Sequence, residues 1–268
     1  PSGRPASASV AAWPAPLTVH STNVVGRDPM LAVVKFNPAI LYHDIGNKNL
    51  LYVSATDTNG VAWGTPTNIY SYYDGVSAAT PAAPAMGLLN TTPVVSFYET
   101  LDQDLWFLAG NAGETSWNEP FPVRLEFRDQ LSMKTIGGVP TALAVSSAWQ
   151  GQEYVAVFRA SNALGDAWSA PILVFTNRAF SFDLSDVADV GGQPAFAITQ
   201  TYQSGSNSLT YRRATNATAT GWTAPTVIQF TTNYVDLDEP CVAEIAGRPA
   251  ISFTRGSMND DLYYARAL

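Results

Sequence analysis

The chain has 268 residues, of which 46% are hydrophobic and 13% charged, so it has enough apolar material for a packed core and is not typical of a disordered chain. Its net charge is −8. Because phosphate binding needs a cationic surface, this charge disfavours a nucleic-acid or anionic-membrane partner. No apolar run reaches the ~18 residues of a membrane-spanning helix. The single cysteine, Cys241, leaves no intramolecular disulfide and is expected to be a small buried side chain.

The first complete stretch of the chain reads as four short strands. In order they are "MLAVV", "PAILYH", "LLYVSA" and "TNIYS", rich in Val, Ile, Leu and Tyr and separated by Gly, Asn and Asp. Pro38 opens the second strand, where a first residue need not donate to the ladder. No segment has a helical period long enough to compete. The sequence therefore predicts an all-β chain.

The same order of elements returns along the chain. Five tryptophans stand in W-x-x-P sequences that recur every 50 to 54 residues: Trp13, Trp63, Trp117, Trp168 and Trp222. A second series marks the second strands, with Pro38, Pro93, Pro140, Pro194 and Pro249. Four strands in a unit of ~45–50 residues are typical of a propeller blade. We expect the five tryptophans to be structural, packed between neighbouring blades.

The repeat predicts a single domain, a five-bladed β-propeller with four antiparallel strands per blade. The chain begins just before a Trp strand and stops after a third strand, so residues about 13–19 are expected to pair beside residues 262–267 and close the ring. The approximate blades are 24–74, 75–128, 129–179, 180–235, and 236–268 together with 1–23.

Two of the turns carry a resemblance to a known family. The stretch "SNALGDAWSAP" has Ser161, Gly165 and Trp168 at the spacing of the Asp-box, with Ala163 in the place of its Asp, and "SATDTNGVAWGTP" has Asp57 with one extra residue. The chain thus resembles sialidase-type propellers with degenerate Asp-boxes, and also secreted lectin-like propellers. The resemblance implies that these turns lie on the face opposite the active site and that the protein is extracellular or at the cell surface.

In such a propeller, the loops before the first strands and those between the second and third strands share one rim. This rim collects aromatic, acidic and basic side chains that suit carbohydrate recognition. Trp149 is our first choice as a sugar-stacking platform, with packing of its own loop as the alternative. The predicted ligand-binding residues are Trp149, Tyr72, Tyr73, Asp74, Tyr42, His43, Tyr98, Arg128, Tyr202, Tyr234 and Arg255.

Three functions stay open on the sequence. The first interpretation is a non-catalytic propeller, not an enzyme, that binds glycans or a protein partner through the loop-rich rim. The alternative is a glycoside hydrolase or lyase whose carboxylates at an axial pocket are Asp28, Asp129 and Glu239. The third is an architectural subunit of a larger extracellular assembly.

The sequence predicts no cofactor. His20 and His43 lack the paired spacing of a metal site, although Ca²⁺ bound by rim carboxylates stays open. Asn90 and Asn216 head N-x-T sequons, whose use depends on the source and on secretion.

Overall fold

The computed structural model describes residues 15–22, 25–71, 81–99, 104–123, 127–149, 152–162, 165, 167–177, 181–232, 234–256 and 261–268. All regular structure in these ranges is β-strand, so the all-β prediction is confirmed. The strands form five antiparallel sheets that follow one another along the chain, an arrangement consistent with a propeller-like fold. No helix in the described ranges is long and apolar enough to cross a membrane.

The first three sheets contain four strands each, in simple up-and-down order. Sheet 1 consists of β1 (Val25–Val34), β2 (Asn37–Asp44), β3 (Asn49–Ser54) and β4 (Thr67–Ser71). Sheet 2 consists of β5 (Pro81–Leu89), β6 (Thr92–Glu99), β7 (Asp104–Ala109) and β8 (Phe121–Val123). Sheet 3 consists of β9 (Phe127–Ile136), β10 (Val139–Trp149), β11 (Gln152–Arg159) and β12 (Ile172–Asn177).

The last two sheets depart from this plan. Sheet 4 consists of β13 (Ser181–Leu184), β14 (Ala188–Val190), β15 (Gln193–Thr201), β16 (Asn207–Arg213) and β17 (Thr226–Thr231). Its first strand is split, because β13 and β14 both pair with β15. Sheet 5 has three strands in the described residues, namely β18 (Asp236–Ile245), β19 (Arg248–Gly256) and β20 (Asp261–Arg266).

Tight turns fix the register between first and second strands. In four sheets the two turn residues both have positive φ, at Lys35–Phe36, Gly137–Gly138, Gly191–Gly192 and Ala246–Gly247. Such two-residue turns match the right-handed twist of the strands that they join. These turns hold each first strand in register with its second strand at one end of the pair. The β-bulges of the first strands lie near the other end.

Apolar clusters join each sheet to the next. Leu50 and Tyr52 of sheet 1 pack with Met86 of sheet 2, and similar clusters connect sheets 2 and 3, 3 and 4, and 4 and 5. No cluster of described residues joins sheet 5 to sheet 1. Leu262 and Tyr264 in sheet 5 are 79% and 60% exposed, although their counterparts Leu50 and Tyr52 are buried.

Closure of the ring by the N-terminal strand is not shown. Among the described residues β20 pairs with β19 alone. Residues 15–22 are not in a strand and contact sheet 1, since Val19 packs against the cluster of Tyr42, Leu51 and Val53, and the Tyr42 hydroxyl is 2.9 Å from Nδ1 of His20. Trp13 lies outside the described residues.

The four described W-x-x-P tryptophans occupy equivalent turns. Each forms an isolated β-bridge to the residue that follows the third strand, as in Ala55 with Trp63. Trp168 is 8% exposed and stacks on Phe107 of sheet 2 at 3.7 Å, and Trp117 lies 5.2 Å from Tyr52 of sheet 1. Trp63, Trp117 and Trp222 are half-buried. Trp117 and Trp168, in the turns of sheets 2 and 3, thus pack against the preceding sheet.

An Asp or Asn stands six residues before each of these tryptophans and holds the turn together. Its side-chain oxygen accepts hydrogen bonds from backbone amides inside the turn, for example from Ala62 to Asp57 at 2.7 Å. The four residues are Asp57, Asn111, Asn162 and Asn216. In the third turn this acceptor is Asn162, one residue before Ala163, which stands at the Asp position of the Asp-box.

Candidate functional site

The first strands begin at the same edge of the sheets as the loops between second and third strands. In sheet 1, Val25 at the start of β1 pairs with Asp44 at the end of β2. The same antiparallel pairing holds in the other sheets, so this edge gathers the loops that the sequence analysis selected. We call it the first-strand rim, and we call the opposite edge, with the tryptophan turns, the Trp-turn rim.

A β-bulge interrupts the first strand of sheet 1 near this rim. Arg27 pairs with His43 and Met30 pairs with Leu41, so two residues of β1 oppose one residue of β2. The two residues that share this place are Asp28 and Pro29. A bulge of this kind bends the strand and redirects a side chain, and bulges are over-represented next to active sites.

Sheet 5 repeats this bulge with a second acid. Asp238 pairs with Thr254 and Cys241 pairs with Ser252, so Glu239 and Pro240 take the places that Asp28 and Pro29 have in sheet 1. The backbone is also the same, with φ of 49° at Asp28 and 51° at Glu239. A left-handed conformation costs a non-glycine residue free energy, and such residues cluster at functional sites.

The equivalent positions of the other sheets carry different chemistry. Sheet 2 has the same bulge at Ala83 and Pro84, without a carboxylate. In sheet 3, Asp129 pairs with Val145 between two register shifts, one residue before the place of Asp28. In sheet 4, the exposed Asp186 lies in the gap between β13 and β14. The candidate acids Asp28, Asp129 and Glu239 therefore all lie at irregularities of first strands.

Asp28 has two basic neighbours. Its Oδ2 lies 3.4 Å from Nδ1 of His43 and 3.8 Å from Nε of Arg27. The His43 side chain is 3% exposed, whereas that of Asp28 is half exposed. Burial lowers the pKa of His43, and the charge and hydrogen bond of Asp28 oppose that shift. The buried imidazole of His43 thus contacts the accessible carboxylate of Asp28.

Tyr42 and His43 were predicted as ligand-binding residues at the end of the second strand; they lie in β2, but their side chains are buried. The strand extends to Asp44 because that carboxylate accepts hydrogen bonds from Asn47, which forms the following turn. Burial raises the pKa of Tyr42 to about 12, and the charge of Asp44 adds to the effect. The side chains of Tyr42 and His43 therefore pack beneath the first-strand rim and are not exposed to a ligand.

A pocket of about 310 Å³ opens beside the sheet 1 bulge. It contains the ring of His20, whose Nε2 is 2.6 Å from Oγ1 of Thr22. Its lining is mainly apolar and includes Leu17, Val19, His20, Val25, Pro29, Ile40 and Tyr42. The pocket lies one residue away from Asp28, because Pro29 forms part of its lining.

The remaining predicted ligand residues are distributed around the rim. Tyr98 lies near the end of β6, Trp149 ends β10 opposite Gln152, and Arg128 lies near the start of β9. Tyr72, Tyr73 and Asp74 lie outside the described residues.

Three further residues come from sheets 4 and 5. Tyr202 and Tyr234 meet at Gly205, where a Cβ would approach the Tyr234 ring to 2.6 Å. The Arg255 guanidinium lies 5.5 Å from the centre of the Tyr263 ring. These contacts bring Tyr202 and Tyr234 together, whereas Arg255 contacts Tyr263.

Metal ligands do not gather in the described part of the chain. It contains no group of three or more His, Cys, Asp or Glu side chains that could hold an ion. Cys241, expected to be buried, is exposed, because it lies on the face of β18 opposite to Val242, which packs with sheet 4.

No family model matches the sequence, and no curated protein matches it. Solved structures with a similar fold include a Hadza microbial sialidase, with a TM-score of 0.55, 13% identity, and coverage of 92% of this chain and 57% of that one. An α-L-arabinanase from Penicillium chrysogenum has a TM-score of 0.54 and 10% identity, with 70% and 62% covered. An exo-β-1,3-galactanase from Phanerochaete chrysosporium has a TM-score of 0.50 and 14% identity, with 90% and 60% covered.

The chain thus spans 57 to 62% of the length of these three structures. At such identities the likeness shows a shared β-propeller fold of the kind found in glycoside hydrolases. The named neighbours are mostly glycoside hydrolases, and they overturn our first interpretation, a non-catalytic binding propeller. The sequence left enzyme activity undecided and leaned against it, and the fold of the neighbours matches the conditional part of that prediction, a glycosidase-like protein if it is an enzyme.

Proposed function

We propose that the protein is a glycoside hydrolase whose reacting carboxylates are held by the first-strand bulges. The observation that carries the proposal is the repeated bulge, because Asp28 and Glu239 occupy the same position in the same left-handed conformation in two different sheets. The carbohydrate-active enzymes among the structural neighbours support it.

Glycoside hydrolysis adds water across the bond between the anomeric carbon and the leaving oxygen, and it generally uses two carboxyl groups. We assign Asp28 as the nucleophile or general base, since His43 and Arg27 fix the orientation of its carboxylate. We assign Glu239 as the acid that gives its proton to the leaving oxygen. Asp129 is retained as a third candidate.

The two roles of Asp28 differ in the bond that it makes. As a general base it takes a proton from water, which attacks the anomeric carbon directly and inverts its configuration. As a nucleophile it first bonds to that carbon, and water then releases the sugar with retained configuration. The anomer first formed, followed by NMR, separates these two routes.

We infer that substrate contacts come from the same rim. Trp149 and Tyr98 are the proposed stacking surfaces, and Arg128 supplies a hydrogen-bond donor. Tyr72, Tyr73 and Asp74 belong to the same expectation. Replacing Trp149 with Ala is expected to raise KM about 5–100-fold with kcat little changed, since a lost stacking contact costs ~1–3 kcal/mol.

We further propose that the five sheets are the blades of one ring, with the approximate blade boundaries given above. In that ring the first strands surround the axis, and sheet 5 follows sheet 4 as the fifth blade. Support comes from the repeated contacts between successive sheets and from the unmatched outer edge of β20.

The proposed activity is tested with a panel of nitrophenyl glycosides that contains α-L-arabinofuranosides, β-galactosides and sialosides. Release of nitrophenol from at least one substrate is expected, together with its loss in Asp28→Asn. A folded wild-type protein that hydrolyses no member of the panel, or that hydrolyses one equally well as Asp28→Asn, would contradict the proposal.

A further inference from the structure

A polar groove of about 370 Å³ lies at the junction between sheets 1 and 2. One of its walls is β4, the edge strand of sheet 1, and the other consists of residues 115–120, the end of the Trp117 turn and the link to β8. Asp28 lies in β1, at the opposite edge of sheet 1. The groove is therefore separate from the carboxylates that are proposed to react.

The chemistry of the groove is that of a sugar-binding surface. Hydroxyl and amide side chains predominate in its lining, namely Thr67, Asn68, Ser71, Thr115, Ser116 and Asn118. Trp117 and Tyr70 add aromatic surface to the walls. Neutral donors and acceptors beside aromatic rings suit a carbohydrate, because its hydroxyl groups need hydrogen-bond partners and its ring faces are apolar.

Hydrogen bonds hold several of these side chains in place before any ligand binds. Nδ2 of Asn68 donates to Oγ of Ser71 at 2.6 Å, and that hydroxyl donates to Oδ1 of Asn49 at 2.8 Å. Oδ1 of Asn118 accepts the amide of Ala109 at 2.6 Å. Side chains that are already held in one orientation lose less conformational entropy when a ligand binds.

Glu119 supplies a carboxylate to the groove and departs from the repeat. Its side chain is exposed and makes no hydrogen bond or ion pair with another described residue. The same position of the W-x-x-P sequence holds Thr65, Ala170 and Ala224 in the other described turns. The fold therefore does not require a carboxylate at this place.

Asn68 departs from the repeat in the same direction. Five residues after their tryptophans, the outer strands of sheets 3 and 4 have the exposed apolar residues Leu173 and Val227, whereas sheet 1 has an amide. Asn68 and Glu119 come from different sheets and line the same groove. Two polar departures from a repeated scaffold that meet in one groove indicate a binding site.

We propose that this groove binds a neutral oligosaccharide and is a sugar site additional to the one proposed at the first-strand rim. The carboxylate of Glu119 accepts hydrogen bonds from sugar hydroxyl groups, and a charged acceptor makes stronger bonds than a neutral one. An acidic sugar is disfavoured, because Glu119 is the one charged side chain among the described lining residues and repels a second carboxylate.

A titration of the full chain, labelled with 5-fluorotryptophan, with β-1,3-galactotriose tests the site by ¹⁹F NMR. The Trp117 signal, identified by its absence in Trp117→Phe, should shift and saturate. Glu119→Ala should weaken binding about 5–50-fold, as the loss of a charge-assisted hydrogen bond should, and Asn68→Leu should also weaken it. Thr65→Ala, at the equivalent position of the preceding turn, is the matched control and should leave the affinity unchanged.

Both groove variants should melt like the parent, because other sheets of the repeat carry alanine or leucine at these positions. A Trp117 signal that does not shift with either galactotriose or arabinobiose would overturn the proposal. So would equal affinities in the parent, Glu119→Ala and Asn68→Leu. The acidic trisaccharide trigalacturonate should bind about 5-fold more weakly than galactotriose, and equal binding would overturn the assignment to a neutral sugar. Because no turnover is measured, the result does not depend on the proposed hydrolysis.

Discussion

The two rims of the molecule use repetition in opposite ways. At the Trp-turn rim the role of the side chain is constant. Asp57 and Asn111 are different residues, but the side-chain oxygen of each accepts hydrogen bonds from backbone amides of its own turn. At the first-strand rim the backbone is constant and the chemistry varies, since the same bulge presents Asp28, Ala83 or Glu239. A side chain that has the same role in every repeat indicates a structural function. A conserved backbone shape that carries a different side chain in each repeat indicates a functional site.

Among variants that test this difference between the rims, we expect Trp168→Ala to have the largest effect on the free energy of unfolding. The ring is buried against Phe107, so its loss should reduce the free energy of unfolding by ~3–5 kcal/mol. Urea denaturation measures it. Glycoside turnover per folded molecule should stay unchanged, and a normal melt with lost turnover would reverse the assignment of the two rims.

Asn111→Ala should have a smaller effect of the same kind. It removes the acceptor of the Thr115 amide, a bond of 2.9 Å, and should cost ~1 kcal/mol. Asn111→Asp keeps an acceptor oxygen and serves as the matched control. If both variants melt alike, the side chain does not stabilise the turn.

The smallest effect concerns pH and belongs to the first-strand rim. Folding lowers the pKa of His43 from its ordinary value of 6.5, so the unfolded chain binds more protons as the pH falls. The stabilisation is full above about pH 6.5 and is lost as the pH falls through the folded pKa. Stability should therefore decrease by at most ~1.4 kcal/mol per pH unit there.

His43→Gln should flatten this dependence in urea melts between pH 7.5 and 5.5. Arg266→Gln, which removes a positive charge that is not among the causes of the lowered His43 pKa, is the control. Identical slopes in the parent and in His43→Gln would show that His43 does not cause the pH dependence.

Much of the strand order could be predicted from the sequence because its signals are local. Alternating apolar residues, Gly-rich turns and the recurring proline and tryptophan define each sheet without reference to its neighbours. The hydrogen-bond acceptor of the Trp168 turn was harder to predict from the sequence. The Asp-box pattern places an acidic residue at position 163, which is Ala163, whereas the acceptor in the structure is Asn162. Asn162 lies six residues before Trp168, as its counterparts do before their tryptophans. Counting back from the tryptophan in all four turns would have found it.

The site was less predictable because it depends on register. Tyr42 and His43 were predicted at the end of a strand beside a rim loop, but the sequence did not show that both side chains are buried. The equivalence of Asp28 and Glu239 appears only when the pairing of β1 with β2 is compared with that of β18 with β19. Aromatic and acidic composition alone had favoured a binder, and it carries no information on how carboxylates are presented.

The most direct test of the account compares carboxylates on the two rims in a steady-state assay. Asp28→Asn and Glu239→Gln should each lower kcat about 10²–10⁴-fold with little change in melting temperature, as expected when an acid or base of the reaction is lost. Asp57→Asn, at the Trp-turn rim, should leave kcat unchanged. Full activity in both first-strand variants, or a loss confined to Asp57→Asn, would contradict the claim that the bulged acids perform the chemistry.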